Sequence, residues 1–91
     1  MASFTTRVEL HDAVSGDYTK LHAEMKRQGF TQTITNGEGA AFPLPTAEYN
    51  YVGDRAKAQV LEAAKAAASA VKRSFGILVT ESKGRTWYNL I

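Results

Sequence analysis

The stretch FTTRVELHDA, residues 4–13, constrains the fold more than any other part of the chain. Phe4, Thr6, Val8 and Leu10 alternate with Thr5, Arg7, Glu9 and His11. A period of two marks a strand with one buried face and one polar face. A strand over 3–11 is therefore expected. Its neighbours must bring apolar cover to the Val8 side and leave Arg7, Glu9 and His11 open. The 91 residues suffice for one domain, spanning 1–91. A chain of this size buries only about 60–65% of the surface that its unfolded form exposes. Pairing with a second copy would enlarge so limited a core, and a homodimer is expected.

The rest of the chain supplies that cover. Ser15 is placed to cap a helix over 16–28, with Asp17 in its first turn and Tyr18, Leu21 and Met25 at helical spacing. Gly29 supplies the stop. FTQTIT, 30–35, is rich in β-branched residues and reads as a strand. NGEG, 36–39, is the clearest turn signal. The chain should then return antiparallel. Pro43 and Pro45 cannot donate ladder hydrogen bonds, so 42–45 reads as irregular or edge-like and 46–52 as the firmer strand. After Asp54 as N-cap, a helix is expected over 55–73, with Val60, Ala64, Ala67 and Val71 as its inner stripe. Phe75, Ile77 and Val79 alternate in a last core strand over 74–81. SKG makes a turn, and RTWYNLI, 85–91, is an extra strand or tail, expected to join the edge of its own sheet or a partner's.

The order strand–helix–strand–strand–helix–strand is that of an α+β, ferredoxin-like sandwich. Right-handed crossovers give the sheet order 4-1-3-2, with both helices on one face. Arg7, Glu9 and His11 then lie on the uncovered face of a central strand.

There is no cysteine, which excludes disulfides, thiolate metal sites and a cysteine nucleophile. No segment reads as a signal peptide or approaches membrane-spanning length, so a cytoplasmic, non-membrane protein is expected. The formal charge of +2 suits a nucleic-acid partner only if positive charge gathers on one face.

Five groups of residues could carry chemistry. At His11-Asp12, imidazole could move a proton during attack by a ribose 2′-hydroxyl while Asp12 binds Mg²⁺ or orients the ring; equally, Asp12 could simply open the turn into the first helix. His22 shares the inner face of that helix with Tyr18, and no metal-ligand spacing accompanies it, so no metal is assigned. Arg7 could bind phosphate and Glu9 act as a base, or the pair could serve a salt bridge to Glu48 or a dimer interface. Tyr49 and Tyr51 could stack on unpaired bases, or pack in the core. Lys72, Arg73, Lys83 and Arg85 offer phosphate contacts or a solvated surface, while Trp87, Tyr88 and Leu90 are expected at a dimer interface.

The phrases FTTRVELHDA, DYTKLHAEMKRQGF, LPTAEYNY and LVTESKGRTWY together resemble the GhoS-type endoribonuclease antitoxins of type V toxin–antitoxin systems, in a branch apart from the characterised antitoxin. The resemblance spans nearly the whole chain. It implies a fold similar to VapD and the CRISPR-associated small nucleases, ferredoxin-like and commonly dimeric, and an activity that cuts a toxin's messenger RNA. In those relatives a carboxylate closes the first strand, and Asp12 sits at about that place. A symmetric dimer could bring Asp12 of each copy together at a shared metal. The alternative is a non-catalytic homodimeric interaction module.

Overall fold

The computed structural model describes residues 2–35, 38–72 and 74–90. Within them the chain forms β1 (Ala2–Leu10), α1 (Asp17–Arg27), β2 (Thr33–Thr35), β3 (Ala41–Pro43), β4 (Glu48–Gly53), α2 (Lys57–Ser69) and β5 (Phe75–Glu81). β1 lies between β4 and β5 and is antiparallel to both. The class is α+β, as expected. Part of the 36–39 turn (Asn36 and Gly37), Arg73 at the expected end of the second helix, and Ile91 lie outside the described residues.

The period-two pattern sorts the faces of the main sheet. Phe4, Val8 and Leu10 are buried with Leu21 and Met25 of α1 and Val60, Ala64, Ala67 and Ala68 of α2. The alanines carry little bulk, so α2 can lie close to the sheet. Register follows from the same faces: Thr6 pairs with Tyr49 and Val79, and Arg7 with Glu48 and Leu78. Slipping β1 by one residue would drive Arg7 and Glu9 beneath the helices.

The expected four-stranded sheet is not formed as a single ladder. Thr31 and Asn50 exchange backbone hydrogen bonds of 2.8 and 2.7 Å, which ties the segment after α1 to β4. Two residues later the chain leaves β4 and pairs with β3 in a separate two-stranded ribbon. Thr33 pairs with Pro43, and the Leu44 N–H donates to the Gln32 carbonyl at 2.7 Å. The cause is local: Pro43, Pro45 and Ala47, at φ 71, bend the returning chain, so β3 and β4 cannot be one straight strand.

Both helices are shorter than expected. Ser15 does not cap α1. Gly16 takes the N-cap position at φ 90, a left-handed conformation that suits glycine, and the Asp17 carboxylate accepts the Val14 N–H at 2.9 Å. In α2 the Gln59 side chain accepts the Ala56 N–H at 2.8 Å, so the helix begins beyond Asp54. Residues 82–90 form no strand. They cross the helix-free face of the sheet instead, as a tail and not as a strand on the edge of their own sheet. Among the described residues, no helix is long and apolar enough to cross a membrane.

Thr6 is the one polar residue on the buried side of β1, and its hydroxyl has no hydrogen-bond partner among the described residues. Replacing an unpaired buried hydroxyl with a methyl group of the same shape removes a desolvation cost. Thr6→Val should therefore stabilise the protein by about 1 kcal/mol, read as a higher urea midpoint at unchanged slope.

Candidate functional site

On the helix-free face, Arg7, Glu9 and His11 form an exposed row along β1. Successive members stand about 7 Å apart, two strand residues each. Ser74 fixes the far end of the row. Its carbonyl accepts the His11 N–H at 3.1 Å, and its Oγ lies 2.7 Å from His11 Nδ1. The other ring nitrogen, Nε2, lies 3.5 Å from Glu9 Oε1. A carboxylate, an imidazole and a hydroxyl are thus brought next to one another. Nothing in the sequence near His11 pointed to Ser74, which lies 63 positions away and meets it only because β5 pairs with β1.

His11 and Asp12 share a depression of about 440 Å³ with Lys72 and Ser74, between the β1–α1 turn and the link from α2 to β5. Asp12 sits at φ 54, a left-handed conformation that Asp tolerates better than most residues. The Lys72 ammonium donates to the Asp12 carbonyl at 2.7 Å and lies 3.4 Å from Asp17 Oδ2. Asp17 is therefore the hub of this corner. The Val14 N–H, and then Lys72, hold its carboxyl below the usual range, against the opposing effect of burial. Asp12 enters this corner through its backbone carbonyl, and the side-chain acceptor of the turn is Asp17.

Arg7 and Glu9 also line a shallower depression of about 240 Å³ beside Gly76 and Leu78. The Glu9 carboxylate thus stands between the two depressions. Although Arg7 and Glu48 are directly opposed, no ion pair joins them among the described residues, so the cross-strand bridge, one of the alternatives for Arg7 and Glu9, is not formed.

The two tyrosines assigned to base stacking lie on the other side of the sheet. Tyr49 is 1% exposed, touches Phe30 edge-on, and places its hydroxyl 2.6 Å from His22 Nδ1. Burial, with a smaller contribution from Tyr18, pushes the Tyr49 hydroxyl above its ordinary pKa. The Tyr51 ring packs against Phe4 and Phe30, with the Arg55 guanidinium 5.5 Å from its centroid. Odd-numbered residues of β4 pair with the buried residues of β1, so both rings lie on the helix-covered side, away from Arg7, Glu9 and His11. His22 is half-buried on α1 and serves Tyr49.

Arg85 is likewise committed within the chain. Nε donates to Thr5 Oγ1 at 3.1 Å, and Nη2 donates to Asn50 Oδ1 at 2.8 Å, Thr5 Oγ1 at 2.9 Å and Ser3 Oγ at 3.1 Å. These bonds pin 82–90 across β1 and β4. Burial lowers the guanidinium's pKa from its ordinary value. Trp87 packs against Phe42, ring centroids 5.2 Å apart and planes tilted by 53°, and Leu90 is half-buried, so two residues expected at a dimer interface pack within the chain. Glu9, Lys83 and Tyr88 are exposed, Tyr88 at 91%. Among the described residues, no group of three or more His, Cys, Asp or Glu side chains could hold a metal ion.

No protein-family model and no curated protein matches this chain.

Two outcomes test this geometry. Because the Asp17 pKa is lowered on folding, its contribution to stability is complete above the unfolded carboxylate value of about 3.9 and fades as pH falls through the folded value. Asp17→Asn should lower the melting temperature at neutral pH and flatten its fall in acid. Arg85→Ala should cost about 1–2 kcal/mol and speed chymotryptic cleavage after Trp87 and Tyr88; Arg85→Lys should behave similarly, because an ammonium cannot reproduce the guanidinium fork.

Proposed function

We propose that this chain is a single-strand RNA-binding endoribonuclease of the antitoxin type, acting on messenger RNA, and that it cuts at the Arg7–Glu9–His11 row. The observation that carries this reading is the 3.5 Å approach of His11 Nε2 to Glu9 Oε1 on an open face, with Arg7 next in line. The resemblance to the GhoS-type antitoxins supports it from the sequence side.

Phosphodiester cleavage needs a base at the 2′-hydroxyl, an acid at the leaving oxygen and a cation at the phosphate. Glu9 takes the 2′-hydroxyl proton, and O2′ attacks phosphorus. The bond from phosphorus to O5′ breaks, and the His11 imidazolium gives its proton to O5′. The products are a 2′,3′-cyclic phosphate and a 5′-hydroxyl. Arg7 faces the non-bridging oxygens. Ser74 positions the ring, and Asp12 shapes the turn behind it. The fold is read as a variant of the ferredoxin-like plan, with β3 inserted between the second and third strands; the central β1, the Thr31–Asn50 bridge and the two helices on one face support this.

Incubation with a panel of RNAs, with and without Mg²⁺, tests the reading. Cleavage should fall by about 10² to 10⁴ in His11→Ala or Glu9→Gln, and a bell-shaped pH profile should lose one limb in each. Asp12→Asn should retain activity. Neither binding nor cleavage at any salt concentration would overturn the proposal.

One observation favours a second reading, a homodimeric interaction module. The outer edge of β5 has no partner strand among the described residues, and Leu78 on that strand is 65% exposed. This reading expects a compact dimer by light scattering that dissociates in Leu78→Lys, with no RNA bound.

A further inference from the structure

The second depression on the helix-free face has a different character from the His11 corner. It is an open depression of about 430 Å³ beside residues 84–90, within the range of small-molecule sites. Its walls include Ile34, Leu44, Trp87 and Leu90, and its two charged residues are Glu48 and Arg85. These two are not within ion-pair distance of each other. Among the described residues, Glu48 has no side-chain partner, and Arg85 spends Nε and Nη2 on the sheet while Nη1 has none.

The cavity is thus an apolar slot with a carboxylate acceptor and a guanidinium donor that do not neutralise each other. A flat ring fits it if it carries adjacent donors on one edge and acceptors on another. Among the RNA bases, guanine alone offers two neighbouring donors, N1–H and N2–H₂, to a single carboxylate. Its O6 and N7 are the preferred acceptors for arginine. Trp87 supplies an aromatic wall of the kind on which unpaired bases stack.

We infer that the cavity between Glu48, Arg85 and Trp87 is a guanine-base pocket. The inference rests on the RNA reading for its place in a reaction. Glu48 is the β4 partner of Arg7, so the pocket adjoins the phosphate end of the proposed cutting row. A guanosine seated there presents its own phosphodiester to Arg7 and Glu9, and cleavage falls next to guanosine.

Trp87 is the only tryptophan, so its fluorescence reports on the pocket directly. The full chain is titrated separately with guanosine, adenosine, cytidine and uridine 5′-monophosphates. Guanosine monophosphate should quench Trp87 at a concentration about tenfold lower than the other three, the discrimination of one bidentate pair. Glu48→Gln, with its circular dichroism unchanged, should reduce that preference to less than about twofold. Equal quenching by all four nucleotides, or quenching by none, overturns the pocket, even if the protein cuts RNA. Selective quenching by guanosine monophosphate in a protein that neither binds nor cuts RNA upholds the pocket and overturns only the nuclease reading.

Discussion

Everything on the helix-free face depends on β1 having two unlike sides and a neighbour on each edge. Phe4, Val8 and Leu10 are held against both helices, and β4 and β5 fix the strand's register from left and right. Turning β1 over would bury Arg7 and Glu9 without partners, at a cost that a domain with a margin of about 5–10 kcal/mol could not bear. Burial on one side of the strand thus enforces exposure on the other. The row of Arg7, Glu9 and His11 is the chemical by-product of a packing requirement.

The helix-free face is not uniformly open. Arg85 spans β1 and β4 through Ser3, Thr5 and Asn50, and so draws 84–90 over one end of the sheet. At the other end, Lys72 and Asp17 tie the β1–α1 turn to the chain after α2. The two ties bound a strip along β1. The Arg85 tie closes an apolar slot containing one carboxylate, while the Lys72 tie leaves a polar depression beside His11. The two are nearly equal in volume but differ in lining and position.

Aromatic residues show why composition alone misleads about binding. Tyr49 and Tyr51 are spaced so that both rings share one face of β4, and a base-stacking sheet would look the same in sequence. What decides their role is which face that is. Their register partners, Thr6 and Phe4, are buried, so the rings belong to the core. Trp87, in a segment without regular structure, lines the depression on the helix-free side.

The alternation of residues 4–11 was enough by itself to set the strand, its buried side and the exposure of Arg7, Glu9 and His11. Helical spacing and turn residues set the order of the remaining elements, because these signals are local and repeat over several residues. Only the tertiary structure decided that β2 leaves the sheet for β3, that 82–90 straps the front without forming a strand, and that Ser74 meets His11 and Arg85 meets Thr5. Those contacts join residues 63 and 80 positions apart. They depend on single side chains finding acceptors once the sheet has closed, and a one-residue contact leaves no periodic trace in the sequence.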